Sequence, residues 1–376
     1  MRKSCFIITC FIFLCLQFAA ANVKDDFRLA DILQSNMVIQ QGRPFNLWGR
    51  APAGDTVTIQ ADWSNKKITK IAGSEKKWFG NIFVPKAIPG KFDEHTITII
   101  HKRDTIRLTN LLIGEVWVCS GQSNMEMSFL VWNKVKNHAA EVAAANYPNI
   151  RLLQVEHYAS VTPQDEAKGT WLPCTPQSVK DFSAIAYFFA REIYQHKKIP
   201  IGLVHTSWGG TVAQAWTSAP AIKQMPYFAG LLEKNRSLPP IDSIPQTLDK
   251  VNQPALVYNG MIHPFLNLSV RGVLWYQGES NSNRSYQYRE LFPLMINDWR
   301  KNWGIGDFPF YFVQLANLQF GTVNDVPKES SWAELQEAQL MTTALPNTGM
   351  AVTNDIGNPD DIHYANKQEA GRRLAL

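Results

Sequence analysis

The spacing of apolar and polar positions changes character once along this chain. From Phe27 to Leu108 it runs in short alternating stretches, "MVIQQGRPFNLWGRAPAGDTVTIQADW", "KITKIAG", "WFGNIFVP" and "HTITIIHKRDTIRL", broken at short intervals by Gly, Pro or Asp. A period of two with that punctuation predicts a small antiparallel β-sandwich over residues 22–108. It contains no titratable cluster, so its expected role is structural or accessory. After "LTN" the pattern becomes apolar strands alternating with helix-period segments: "DFSAIAYFFAREIYQHKKI" before "PIGLVHTSW", "RGVLWYQGES" before "YRELFPLMINDWRKNW", and "FPFYFVQLAN" before "WAELQEAQLMTTAL". Strands joined through helices predict an α/β domain over 109–376, three-layered, with a central parallel sheet covered on both faces.

Polar stretches follow three of the strand candidates: "SGQSNMEM" after "GEVWVC", "TSWGGTVAQAW" after "IGLVH", and "QGESNSN" after "GVLWY". Parallel strands bring their carboxyl ends to one edge, where ligands bind in such sheets. Blocks far apart in sequence are therefore expected to share one cleft.

The amino terminus stands outside this pattern. "MRK", the apolar stretch "CFIITCFIFLCLQF" and then "AAAN" have the three-part layout of a secretory signal over residues 1–21, with the mature chain starting near Asn22. The apolar stretch is shorter than the roughly 20 residues that span a bilayer. The expectation is an exported protein, periplasmic or extracellular in a bacterial host, with no membrane association after signal removal. Cys5, Cys10 and Cys15 leave with the signal, and Cys119 and Cys174 are too few for a disulfide-stapled scaffold or a zinc site. The formal charge is +5, of which Arg2 and Lys3 contribute two. The remainder is small and scattered, which argues against a nucleic-acid partner. Several of the 12 Trp residues stand beside Gly and polar residues, as in "SWGGT" and "LWYQGES", an arrangement found in sugar sites and in packed cores alike.

Serine becomes a useful nucleophile only when a base takes its proton and donors await the oxyanion. Ser123 lies just past a buried strand, where a sharp turn can expose its hydroxyl. Met125 stands where the nucleophile elbow of α/β-hydrolases has its second glycine, so that scaffold is excluded. The candidate base is His363, three residues after Asp360 and two after Asp361 in "NDIGNPDDIHYANKQEAG". A carboxylate at that spacing can accept from Nδ1 and leave Nε2 free to deprotonate a serine. Spacing does not choose between the two aspartates.

"VWVCSGQSNMEM", "SWGGTVAQAW", "GVLWYQGESN" and "DDIHYANKQEAGRRLA", in this order, resemble the sialate O-acetylesterase family of the SGNH-hydrolase superfamily, which also holds acetylxylan esterases. The likeness extends from "LADILQSNMVIQQG" to the last residue. It implies Ser123 as nucleophile, His363 as base, and Asp360 as orienting acid with Asp361 as substitute; Glu279 takes that part in some sugar esterases of the group. It further implies oxyanion donors at the amides of Ser123 and of Gly209 or Gly210, with an amide side chain from Gln277 or Asn281. Gln122, Asn124 and Trp208 are the candidate substrate contacts. No metal or organic cofactor is required. O-acetylated sialic acid is the implied substrate, with acetylated xylan or another plant glycan as the alternative, and a non-catalytic glycan-binding protein as the rival of another class. Tyr364 stands where the family usually has proline and Gln336 where arginine is common. The chain stops at "GRRLAL" inside a helical pattern, which reads as a piece of a longer protein.

Overall fold

The computed structural model describes residues 27–236, 246–318 and 330–376. The signal-peptide reading of residues 1–21 lies outside them. The amino-terminal region holds β1 (Arg28–Leu29), β2 (Val38–Gln40), β3 (Pro44–Arg50), β4 (Thr56–Ala61), β5 (Lys67–Ile71), β6 (Lys77–Phe83) and β7 (His95–His101). Of these, β1, β3 and β6 form one antiparallel sheet, while β5, β4 and β7 pair antiparallel and lead into β8 (Asp104–Gly121).

That eighth strand is the spine of the molecule. Its first residues pair antiparallel with β7, Leu112–Gly114 pair with β2, and Glu115–Gly121 pair in parallel with β11 (Ile201–Ser207), while Trp117–Gly121 also pair in parallel with β12 (Gly272–Tyr276). Burial along it alternates as far as Asn110 and is continuous from Leu111 onward. The sequence shows the same switch, because a strand covered on one face needs apolar residues only at every second position and one covered on both faces needs them throughout. The boundary expected at 108/109 thus falls inside one continuous strand, with no linker.

β9 (Tyr147–Val155), β10 (Gly169–Cys174), β13 (Phe310–Val313) and β14 (Thr348–Ala351) complete the large sheet in the order β10-β9-β11-β8-β12-β13-β14. The neighbours from β9 to β14 are parallel, and β10 joins antiparallel at the edge. The sheet is therefore mixed rather than wholly parallel. Helices Ala184–Lys197 and Lys367–Ala375 pack together beside it, as do Ser285–Trp303 and Ser331–Thr342. The first of these starts where the Ser183 side chain accepts from the Ala186 amide and ends at Lys198 in the left-handed region. Cys119 and Cys174 are both free and buried.

Candidate active site

Three of the polar blocks meet at the carboxyl ends of β8, β11 and β12, and the fourth, from the last turn of the chain, closes over them. At the end of β8, Gly121 has φ +137°, and a Cβ there would stand 2.0 Å from the Tyr276 carbonyl oxygen of β12. Only glycine lets the chain pass that close before turning. Gln122 next turns its side chain inward, where Oε1 accepts from the Ser280 amide at 3.1 Å and the Gly278 amide at 3.4 Å. Ser123 opens the short helix Ser123–Glu126, is 7% exposed, and holds its Oγ 2.8 Å from His363 Nε2. With Nδ1 carrying the imidazole proton, the hydroxyl donates to Nε2.

His363 arrives from a turn closed by a bridge between Asn358 and Asp361. This turn aims Asp361, and not Asp360, at the imidazole. Asp361 Oδ1 accepts from the His363 amide at 2.9 Å and stands 3.8 Å from Nδ1, too far for a hydrogen bond but within ion-pair range. Its other oxygen meets Lys134 Nζ at 2.6 Å. Asp360 is exposed, and its amide donates to Asn358 Oδ1. The Trp132 ring leans over the imidazole at 4.6 Å between centroids. Burial, followed by the charge of Lys367, holds His363 below its ordinary range, against the pull of Asp361.

Asn124, expected to meet substrate, is instead a buried hub. Its Nδ2 donates to Glu279 Oε1 at 2.6 Å and to the Ile362 carbonyl at 2.9 Å, while its Oδ1 accepts from Lys367 Nζ. Glu279 does not touch the imidazole, and burial raises its pKa. Gln277 and Asn281 also turn inward. Gln277 Nε2 donates to the Thr211 carbonyl and to Asn281 Oδ1, and Asn281 Oδ1 also accepts from the Ala213 amide. Both residues therefore brace the second polar block rather than present free amides.

In that block, the Gly209 amide donates to Glu126 Oε2 at 2.6 Å, and a Cβ on Gly209 would lie 3.4 Å from that of Ser123. Gly210 has φ +76°. Glu126 also pairs with His157 Nε2 at 2.9 Å, and the His157 ring stacks on Trp208 at 4.5 Å, 5° from parallel. Burial pushes the Glu126 carboxyl up, but His157 and the Gly209 amide outweigh it and leave the pKa lowered. Trp216 is core. Among the described residues, no three His, Cys, Asp or Glu side chains are grouped to hold a metal ion.

Sequence reasoning passed over Glu126, His157, Trp132 and Lys367. The signals were small. Glu126 and Lys367 sit inside the quoted blocks as charges with no local partner, and Trp132 ends an apolar tetrad, "FLVW", on an otherwise polar edge.

Residues 113–376 match the family model for "Carbohydrate esterase, sialic acid-specific acetylesterase". The sialate O-acetylesterase of Homo sapiens is 31% identical over 93% of this chain and 70% of its own, and that of Rattus norvegicus 30% identical over 93% and 72%. Among solved structures, a carbohydrate acetylesterase from Xanthomonas citri superposes with a TM-score of 0.80 at 34% identity, covering 93% of this chain and 73% of that one. With a family match over most of its length and relatives of this identity along nearly all of it, the chain belongs to the sialic acid-specific acetylesterase family of carbohydrate esterases and is a carboxylic-ester hydrolase.

Proposed function

We propose that this acetylesterase removes O-acetyl groups from sialic acid through an acyl-enzyme, with Ser123 as nucleophile, His363 as base and Asp361 as the acid facing the imidazole. The observation that carries the reading is the 2.8 Å between Ser123 Oγ and His363 Nε2. At that distance the imidazole takes the hydroxyl proton as the oxygen attacks the acetyl carbonyl. The oxyanion then draws on the Ser123 amide and on the turn at Gly209 and Gly210. Because Glu126 holds the Gly209 amide, Gly210 is the donor of the two left uncommitted among the described residues. As the bond from the acetyl carbon to the sugar oxygen breaks, His363 protonates that oxygen, which leaves as a hydroxyl. A water deprotonated by the same imidazole next attacks the acyl carbon, and acetate leaves with Ser123 restored.

The preference for sialic acid is supported by the family match and by the names of the mammalian relatives. Export is supported by the pattern of residues 1–21 alone. A sandwich for the amino-terminal strands is supported by the fit of β6 to β4, where a Cβ on Gly80 would stand 2.6 Å from Ile59 Cδ1.

p-Nitrophenyl acetate tests the mechanism. Wild type should release nitrophenolate, and Ser123→Ala should lose about a thousandfold or more of that rate. Equal rates for the two proteins would remove Ser123 from its role and leave a glycan-binding protein as the alternative. Acetate release from mucin-derived sialic acid, measured against acetylated xylan, tests the substrate. Release from xylan alone would overturn the sialic acid preference and leave the mechanism intact.

A further inference from the structure

Lys367 is wholly buried at the start of the helix Lys367–Ala375. Its Nζ lies 2.5 Å from Asn124 Oδ1, 3.8 Å from the centre of the Tyr364 ring and 5.5 Å from that of Tyr276. An ammonium out of water is strongly disfavoured unless something compensates it. Here two ring faces, an amide oxygen and the buried carboxylate of Glu279 do so. The arrangement is mutual: among the described residues Glu279 Oε2 has no hydrogen-bond partner, and the Lys367 charge favours that carboxylate.

The Lys367 ammonium can only donate hydrogen bonds, so the oxygen of the Asn124 amide faces it. The amide nitrogen is then forced to the other side, where it bridges Glu279 Oε1 and the Ile362 carbonyl. Asn124 follows Ser123 directly, and Ile362 directly precedes His363. One side chain thus ties the serine turn to the histidine turn, and Lys367 decides which way that side chain points.

The charge has a second effect. His363 is influenced by Asp361, Lys134 and Lys367, with the neutral Trp132 ring beside it. Lys134 is half exposed and already paired with Asp361, which weakens its action on the ring. Lys367 is shielded from water, and its own surroundings are Glu279, Asp361 and the hydroxyl-bonded pair Tyr276 and Tyr364. Protonating His363 would place a second positive charge in the same dry region.

We infer that Lys367 is a positioning residue for the Ser123–His363 pair, orienting Asn124 so that the two turns stay joined and opposing protonation of the imidazole with a buried positive charge. The inference rests on the roles proposed above for Ser123 and His363. Burial brings Lys367 down to about 7, against Glu279 and Asp361, so it is charged over the acidic range in which His363 titrates.

The test is kcat/KM for p-nitrophenyl acetate against pH in wild type, Lys367→Met and Asn124→Ser, with folding followed by circular dichroism. Lys367→Met should move the acid limb to higher pH by about half a unit and lower kcat about tenfold. Asn124→Ser, which keeps the ammonium, should lower kcat by a similar factor with KM within about twofold and leave the acid limb near its wild-type position. A folded Lys367→Met with the wild-type acid limb overturns the electrostatic part, since a merely structural lysine would lower kcat without moving that limb. Wild-type kcat in Asn124→Ser overturns the bridging part, and this variant decides if Lys367→Met does not fold. Activity surviving Ser123→Ala would instead defeat the underlying mechanism, a result separate from either of these.

Discussion

The serine and histidine sides of the site are held in different ways. Ser123 stands at the end of a strand that is buried without interruption for 11 residues before it reaches the turn, and the side chains of its neighbours Gln122 and Asn124 bond inward to Gly278, Ser280, Glu279, Ile362 and Lys367. His363 hangs from a largely exposed turn, and the acid facing it is 3.8 Å from Nδ1 with a side chain 31% exposed. The proposed nucleophile is thus fixed by the sheet, whereas the proposed base is fixed by a few local bonds and one long amide bridge. Rigidity at the nucleophile suits an attack that needs one trajectory. A looser base can swing between the serine, the leaving hydroxyl and the incoming water.

Changes on the two sides should therefore fail differently. The largest effect is expected from His363→Ala, which should lower kcat by roughly 10⁴-fold while the melting temperature stays close to wild type. A fall in thermal stability as large as the fall in rate would mean that the histidine turn is part of the scaffold after all. Gly121→Ala should do the reverse. The added Cβ meets the Tyr276 carbonyl at φ +137°, so stability should drop by about 3 kcal/mol or more, seen as a lower midpoint in denaturant unfolding. A wild-type midpoint would show that the strand end can relax.

Smaller effects separate the two aspartates and set the pH dependence. Asp361→Asn should lower kcat about tenfold and shift the acid limb to lower pH, because the removed carboxylate favours the protonated imidazole. Asp360→Asn should stay within about twofold, and the opposite ranking of the two variants would return the orienting role to Asp360. In wild type, His363 is held below its ordinary value of 6.5, so its neutral, base-competent form persists as pH falls past that point. Activity should therefore be retained at pH 6.5 and be lost only as pH falls through the lowered pKa, which a pH–rate profile would show.

The legible parts were those governed by neighbours in sequence. Period-two alternation marks β3 to β7, unbroken apolar runs mark β11 and β12, and the helix Ala184–Lys197 is bracketed by its own cap residues. The pattern gave less warning of β9 and β10, since neither was anticipated and only their pairing with each other and with β11 makes them part of the sheet. In the site, three polar blocks were visible as stretches after apolar runs, and the fourth by its histidine and aspartates. Their internal wiring was not. Asn124 was expected to meet substrate and Gln277 or Asn281 to offer an amide to the oxyanion, yet each is buried and hydrogen-bonded within the protein.

From the sequence alone came the change of pattern at 108/109, the serine after a buried strand, and the histidine that could serve it. Those features depend on the order of residues within a few positions of each other, where sterics, solvent and hydrogen-bonding needs act locally. Which aspartate meets the imidazole, where each amide spends its donors and why a lysine lies buried at the centre depended on the folded chain. Each is a choice between partners as much as 243 positions apart. Such choices are settled by which polar groups packing leaves without water, and that is known only once the strands are side by side.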